Sequence, residues 1–195
     1  MSNLIYTINN SLNISFCNTL ITIFNQKEHE NKIHSSKISG DKIKQKIRNS
    51  SYISVNYDLP NIYYNILNQK LKEAFKLYLL HIKNYNINLQ SLNNKNLKIM
   101  ESHIFLNKYN KNDGYYTFHN DFNIDVQNGY RLLTFIWYIN DVIIGGETEF
   151  IDGTKITPKQ GKLLIFPSTW TYVHRGNIPI SSDKYIIVGW LELYS

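Results

Sequence analysis

A histidine and a carboxylate stand two residues apart at His119 and Asp121. The residues that lead into them, YYTFH, alternate as strand residues do. In extended backbone, side chains two residues apart point to the same face of the strand. An imidazole and a carboxylate on one face can fill adjacent ligand positions around a metal ion. Taken alone, the pair is also consistent with the polar end of a surface strand.

A third candidate ligand, His174, lies 53 residues beyond Asp121 in the strand-like segment TYVH, which follows an apolar run at 163–166. Taken alone, it is also consistent with a histidine of the core. If it joins His119 and Asp121, two neutral imidazoles and one carboxylate leave three positions of an octahedral ion open. Non-haem Fe(II) oxygenases have this arrangement. The open positions admit a chelating cosubstrate and dioxygen.

Lys184 follows His174 by ten residues and opens a segment, YIIVGW, that is otherwise apolar. An ammonium group among apolar neighbours requires an anionic partner. Tyr138, in the strand-like run 130–139, could donate a hydrogen bond to the same anion. The alternatives are that the Lys184 ammonium reaches water at the strand end and that Tyr138 only packs in the core.

The elements that must position these residues are short strands after residue 97. Turn residues at 112–114, 128–129, 145–146, 152–153 and 158–161 separate them. The strand-like segments are KIMESHIFL, YYTFH, YRLLTFIWYI, ETEFI, GKLLIFP, TYVH and KYIIVGWLELY. Seven or eight strands at this spacing predict a jelly roll.

Helices are predicted ahead of the strands. Apolar residues three or four apart predict a short helix over residues 12–26, capped by Asn13 or Ser15. The same spacing predicts a long helix from Leu59 to Tyr85, with Pro60 in its first turn. The lysine-rich residues 27–52 predict an irregular connection, and residues 84–98 predict a loop.

Composition indicates one globular domain. The chain has 195 residues, of which 43% are hydrophobic and 18% charged, which suffices for one core. We expect residues 1–96 to supply the helices and the connection, and residues 97–195 the strand core. The net charge of +6 is spread as scattered lysines, which favours a solvated face over a nucleic-acid site. The sole cysteine, Cys17, excludes a disulfide framework and is expected to be buried. Because no signal-peptide or membrane-span pattern occurs, a soluble cytoplasmic protein is expected.

These residues belong to a longer series of motifs, and about residues 97–194 resemble the catalytic domain of prolyl 4-hydroxylase-like 2-oxoglutarate/Fe(II)-dependent dioxygenases. The motifs occur in that family's order and spacing: Tyr116-x-x-His119-x-Asp121, Arg131-x-x-Thr134-x-x-x-Tyr138-x-Asn140, Gly145-Gly146-Glu147-Thr148-x-Phe150, Pro158-x-x-Gly161-x-Leu163-x-x-Phe166, His174-x-Gly176, and Lys184 through Trp190. The resemblance implies an α+β fold, a double-stranded β-helix (jelly roll) with N-terminal helices packed on one sheet.

The resemblance also implies a role for each matching residue. The catalytic iron ligands would be His119, Asp121 and His174. Lys184 would pair with the far carboxylate of 2-oxoglutarate, and the further cosubstrate-binding residues would be Tyr138, Thr134 and Tyr116. The residues along the path of a peptide substrate would be Arg131 and Trp190.

The implied activity is hydroxylation with Fe(II), 2-oxoglutarate and dioxygen, and ascorbate is a candidate further cofactor. Succinate and carbon dioxide would be the co-products. The leading substrate hypothesis is a prolyl residue of a peptide or protein. The alternatives are a free amino acid or other small molecule, a nucleic acid, and a jelly-roll binding module without catalysis. Retention of all three candidate ligands together with Lys184 argues against the last.

Overall fold

The computed structural model describes residues 4–35, 47–85, 97–99, 104–122, 124–125 and 129–193. The helices of these residues are α1 (Ile14–His29), α2 (Val55–Asp58) and α3 (Asn61–Lys83). Their strands are β1 (Tyr6–Ile8), β2 (His34–Ser35), β3 (Arg48–Asn49), β4 (Ser51–Ser54), β5 (Leu97–Ile99), β6 (Phe105–Tyr109), β7 (Tyr115–His119), β8 (Ile124–Asp125), β9 (Gly129–Tyr138), β10 (Thr148–Phe150), β11 (Lys155–Ile156), β12 (Leu163–Pro167), β13 (His174–Gly176) and β14 (Lys184–Leu193).

The strands form two antiparallel sheets. The large sheet has the order β1-β12-β9-β14-β6-β4-β2, with β5 beside β14 and β8 beside β9. The small sheet has the order β11-β10-β13-β7-β3. One hydrophobic cluster joins the helices to the large sheet, and a second lies on the other side of that sheet. The predicted double-stranded β-helix with helices packed on one sheet is therefore confirmed.

Strand β9 is buried along most of its length, and its side chains alternate between two environments. Those that face the helices are Leu133, Phe135 and Trp137. Those on the opposite face, toward the second cluster and the polar site described below, are Thr134, Ile136 and Tyr138. Because successive side chains of a strand point to opposite faces, one strand serves the core and the site together.

Helix α1 covers the large sheet and confirms the helix predicted over residues 12–26, although it continues to His29. Asn13 caps it, because its Oδ1 accepts a hydrogen bond of 2.7 Å from the Phe16 N–H. The predicted burial of Cys17 is confirmed. Phe24 is also fully buried and meets Tyr185 of β14 edge-on, with 5.7 Å between ring centroids.

Helix α3 confirms the predicted long helix, but the predicted place of Pro60 is wrong. Pro60 is the N-cap with a ψ of 142°, which is extended backbone, so the helix begins at Asn61. The buried face of α3 carries Leu67, Leu71, Ala74, Tyr78 and Ile82. Within the described residues, no helix combines the length and apolar character that crossing a membrane requires.

The prediction of an irregular connection over residues 27–52 is wrong for the residues of that segment that lie in a helix or a strand, whereas 30–33, 47 and 50 are irregular or in turns. Residues 27–29 continue α1, and β2, β3 and the start of β4 follow. Strand β3 joins the small sheet through β7, and β4 joins the large sheet through β6. Strands of two to four residues are too short to show an alternating pattern in sequence. Residues 36–46 of this connection and 86–96 of the predicted loop lie outside the described residues.

Truncation of Phe24 tests the contact between α1 and the large sheet. We expect Phe24→Ala to lower the free energy of unfolding by about 3–5 kcal/mol, because it leaves a cavity in a packed core. Ile143→Ala is the control, because Ile143 is 86% exposed and its truncation should change stability by about 0.5 kcal/mol or less. Urea denaturation measures both. Equal losses in the two variants would contradict this packing.

Candidate active site

The structure brings together His119, Asp121 and His174, which we call the His-Asp-His cluster. Their candidate ligand atoms all lie within 4.8 Å of one another. Asp121 Oδ1 is 3.6 Å from His119 Nε2, and Asp121 Oδ2 is 3.7 Å from His174 Nε2. His119 ends β7 and is paired directly with His174 at the start of β13. The separation of 53 residues between Asp121 and His174 is thus closed by one strand pair.

Both imidazoles are oriented by backbone carbonyls. His119 Nδ1 lies 2.8 Å from the Thr117 carbonyl oxygen, and His174 Nδ1 lies 3.0 Å from the Tyr172 carbonyl oxygen. A carbonyl oxygen only accepts, so each Nδ1 donates and each Nε2 keeps its lone pair in the neutral ring. Hydrogen bonds of this kind fix the tautomer and the ring orientation of metal-binding histidines.

A hydrogen bond from the large sheet holds the Asp121 carboxylate in place. The Thr134 hydroxyl donates to Asp121 Oδ2 at 2.8 Å and lies 2.9 Å from the Ser168 hydroxyl. Thr134 and Ser168 are both buried. Thr134 was expected to contact a cosubstrate, but its observed contact is with the carboxylate of the cluster. It is therefore placed to orient a ligand.

The electrostatics favour the protonation states that bind a cation. Burial, together with the nearby His174, lowers the pKa of His119 to about 4. Burial acts to raise the pKa of Asp121, but His174, His119 and the Thr134 hydrogen bond outweigh it, so that pKa is lowered. A neutral imidazole and an ionised carboxylate are the forms that a metal requires. Two imidazoles and one carboxylate also match the ligand set of non-haem Fe(II) sites.

The cluster opens into a cavity of about 620 Å³ that lies between the two sheets. Each residue of the cluster contributes to its wall. Other predicted site residues on the wall are Tyr116, Arg131, Lys184 and Trp190. The volume is large enough for a small cosubstrate and part of a substrate.

Lys184 is the buried cation of this cavity. It is 3% exposed, and its Nζ lies 5.5 Å from the Tyr109 ring centroid and 5.8 Å from that of Tyr138. No described residue forms a salt bridge or hydrogen bond with this ammonium. Burial lowers the pKa of Lys184 to about 7, and the charge of Glu147 opposes that shift. An anion in the cavity would favour the charged ammonium.

Tyr138 lies beneath this cavity wall. It is fully buried, and its hydroxyl donates to Thr148 Oγ1 at 2.7 Å. Burial raises the pKa of Tyr138, so the phenol stays protonated. Thr148, which lines the cavity, stands between Tyr138 and the open space. The hydrogen bond expected from Tyr138 to an anion is replaced here by one to Thr148.

Tyr116 packs against the cluster. Its ring stacks on His119 with 3.5 Å between centroids and 14° between planes. Burial raises the pKa of Tyr116 to about 12. The sequence left the role of Tyr116 open between cosubstrate contact and packing. In the structure, Tyr116 stacks on His119, a candidate metal ligand.

Arg131 and Trp190 form a stacked pair on the cavity wall. The guanidinium carbon of Arg131 lies 3.6 Å from the centroid of the Trp190 ring. Arg131 Nε is also 3.6 Å from Glu192 Oε1, and Glu192 is buried. The pair offers a flat cationic and aromatic surface beside the His-Asp-His cluster.

Sequence reasoning missed several cavity residues. They lie on β3, β4, β6 and β10: Arg48, Tyr52, Phe105, Asn107, Tyr109 and Thr148. Tyr109 and Asn107 could have been found, because alternation along β6 puts both on one face. Arg48 lies in a lysine-rich segment whose strand has two residues, so no periodic signal marks it.

A sequence model of the 2OG-Fe(II) oxygenase superfamily matches residues 104–192. The matched stretch contains the whole His-Asp-His cluster and Lys184. No curated protein sequence matches the chain.

Solved structures with the same fold include three prolyl hydroxylases. A viral collagen prolyl hydroxylase from Paramecium Bursaria Chlorella virus-1, in its 2OG complex, is 18% identical with a TM-score of 0.66 over 98% of this chain and 97% of that one. A Pseudomonas putida prolyl-4-hydroxylase is 16% identical with a TM-score of 0.66, covering 98% and 93%. A Trichoplax adhaerens prolyl hydroxylase, in complex with a hypoxia inducible factor peptide fragment, is 17% identical with a TM-score of 0.67, covering 98% and 84%.

The superfamily match, the cluster geometry and the shared architecture agree with one another. At these identities the solved structures establish the fold, and the superfamily match establishes the kind of enzyme. The superfamily's cofactors are Fe(II), 2-oxoglutarate and dioxygen, and the His-Asp-His cluster fits the first of them. Residues 104–192 thus match the 2OG-Fe(II) oxygenase superfamily, inside a fold that the chain shares with prolyl 4-hydroxylases.

Proposed function

We propose that this enzyme hydroxylates a prolyl residue of a peptide or protein. One oxygen atom of dioxygen enters a C–H bond of the substrate, and the other enters succinate as 2-oxoglutarate loses carbon dioxide. The observation that carries the proposal is that the His-Asp-His cluster and the buried Lys184 line the same cavity. A metal centre and a cation without a carboxylate partner among the described residues suit a cosubstrate that chelates at one end and is anionic at the other.

The ferrous ion would be held by Nε2 of His119, Nε2 of His174 and the carboxylate of Asp121. When bound, iron supplies the activation of dioxygen that the side chains cannot provide. The protein supplies orientation: the Thr117 and Tyr172 carbonyls fix the two imidazoles, and Thr134 fixes the carboxylate. The half-enclosed cavity limits the access of water to the reacting atoms.

Lys184 would bind the far carboxylate of 2-oxoglutarate. Thr148 lines the cavity and receives a hydrogen bond from Tyr138, so its own hydroxyl proton is free to be donated to that carboxylate. Tyr138 would thus act on the cosubstrate through Thr148. Tyr109, whose ring lies near Lys184 Nζ, would form the apolar side of this end of the cavity.

Two observations support a prolyl substrate: the fold shared with prolyl hydroxylases, and the surface formed by Arg131 and Trp190. The three solved relatives are described as prolyl hydroxylases, one of them with a bound peptide. In this chain, the stacked Arg131 and Trp190 border the cavity and present an aromatic face and N–H donors to a passing peptide. Proline rings pack well on aromatic faces, and a guanidinium can donate to backbone carbonyls.

Iron dependence is the first test. We expect one Fe(II) per chain under anaerobic titration, and slow release of succinate from 2-oxoglutarate in air without any substrate. A chelator should stop that release, and added Fe(II) should restore it. Isothermal titration and a succinate assay measure the two quantities. Succinate release that is independent of iron, or absent at full iron loading, would contradict the proposed centre.

Ligand variants separate metal binding from folding. Asp121→Ala should lose stoichiometric iron and succinate release, because one of three ligands is gone. Thr134→Val keeps the ligand but removes its hydrogen bond, and should weaken iron binding about 10–100-fold. His29→Ala, which changes an exposed histidine of α1, is the control. Iron content, activity and circular dichroism decide the result. An Asp121→Ala enzyme with wild-type iron content would remove Asp121 from the ligand set.

Lys184→Ala tests the cosubstrate anchor. Leaving a buried carboxylate without its cation costs on the order of 3–5 kcal/mol, which corresponds to roughly two to three orders of magnitude in 2-oxoglutarate affinity. Tyr138→Phe removes one neutral hydrogen bond worth about 1 kcal/mol, so the loss should be several-fold. Iron content should stay constant in both. An unchanged 2-oxoglutarate requirement in Lys184→Ala would place the anchor elsewhere.

A further inference from the structure

The cavity is lined by more cationic than anionic side chains. Its described lining residues include four cations, Arg48, Arg131, Arg175 and Lys184, and one carboxylate, Asp121. The proposed function accounts for part of this excess. The two carboxylates of 2-oxoglutarate and Asp121 together balance a divalent iron and Lys184. The three arginines remain.

Two of these arginines already have carboxylate partners. Arg131 Nε lies 3.6 Å from Glu192 Oε1. Arg175 Nη2 donates to Glu149 Oε2 at 2.9 Å. Their charges are therefore compensated within the protein.

Arg48 has only neutral partners among the described residues. Its Nε donates to Ser50 Oγ at 2.8 Å, and its Nη2 donates to Asn107 Oδ1 at 2.5 Å. Its guanidinium carbon lies 4.9 Å from the Tyr116 ring centroid and 5.7 Å from that of Tyr109. No carboxylate of the described residues lies within salt-bridge distance. These contacts fix the guanidinium plane and leave Nη1 without a described partner.

From this geometry we infer that the enzyme prefers a substrate segment with a carboxylate beside the target prolyl residue, and that Arg48 binds this carboxylate. The inference rests on the proposed function. A fixed guanidinium with free N–H donors is suited to a carboxylate, which it can bind through two parallel hydrogen bonds. The net charge of +6 adds a long-range attraction for acidic segments. Arg48 is thus a specificity-determining residue supplied by the segment before α3.

The test uses a peptide library in which the residues that flank a single proline are randomised. Purified enzyme with Fe(II) and 2-oxoglutarate is incubated with the library, and hydroxylated peptides are sequenced by mass spectrometry. A matched pair of peptides is then made from a selected sequence, with Glu or Gln at the enriched position. The variants are Arg48→Met, Arg48→Glu and, as a matched control, Arg175→Met, which removes a cavity cation that is already paired. Succinate release without peptide shows that each variant is folded and loaded.

For the wild type we expect Asp and Glu to be enriched among the products, and kcat/KM to be about tenfold to a hundredfold higher for the Glu peptide than for the Gln peptide. Arg48→Met should bring that ratio near one, and Arg48→Glu should shift the enrichment toward Lys and Arg. Arg175→Met should keep the acidic preference.

Four results would overturn the inference. Hydroxylation of the library without acidic enrichment would remove the specificity and leave the prolyl activity standing. Acidic enrichment that survives in Arg48→Met would assign the carboxylate to another residue. Iron-dependent succinate release with no hydroxylated peptide at all, or inhibition by a single-stranded oligonucleotide stronger than by the acidic peptides, would overturn the prolyl proposal and this inference with it.

Discussion

The direct pairing of His119 with His174 is the contact on which the rest of the site depends. It joins β7 to β13 in the small sheet and sets the two imidazoles side by side, with 4.3 Å between ring centroids. The ladder shifts register immediately afterwards, between His174 and Gly176. Irregularities of this kind re-aim side chains and are frequent beside active sites. Asp121, two residues past the end of β7, then needs only the hydrogen bond from Thr134 to complete the cluster.

The large sheet supplies the site residues that do not come from the small sheet. Strands β9 and β14 lie in its middle and bring Thr134, Arg131, Lys184 and Trp190 to the face that meets the cluster. Their opposite faces pack on α1 and α3. The helices therefore support the site without lining it, because they cover the back of the sheet that carries Lys184.

Many of the site residues were predictable from the sequence. Alternation fixes which residues of a strand share a face, so His119 and Asp121 could be placed together from their spacing alone. His174 and Lys184 were joined to them by the family resemblance, because the apolar runs beside them do not alternate. The contact partner of a hydroxyl is not fixed by alternation. Tyr138 and Thr134 were expected to contact the cosubstrate, and their hydrogen bonds to Thr148 and Asp121 emerged only from the packed structure.

The N-terminal strands were not predictable, because they are too short to carry a pattern of their own. Strands β3 and β4 exist through their pairing with β7 and β6, which lie far along the chain. Through that pairing Arg48 reaches Asn107 and the Tyr116 ring. Arg48 therefore enters the cavity wall through strand pairing that its local sequence does not reveal.

The alternation along β9 makes the alignment of that strand a condition for activity as well as for stability. A slip of one residue would turn Thr134 toward the helices and bring the rings of Phe135 and Trp137 into the cavity that holds the His-Asp-His cluster. Such a misaligned chain would bury aromatic rings against a carboxylate and leave a hydroxyl in the apolar layer. The slipped alignment would therefore be unfavourable on both faces of the sheet. The side chains of β9 that form the site therefore also favour the correct alignment of the sheet over the slipped one.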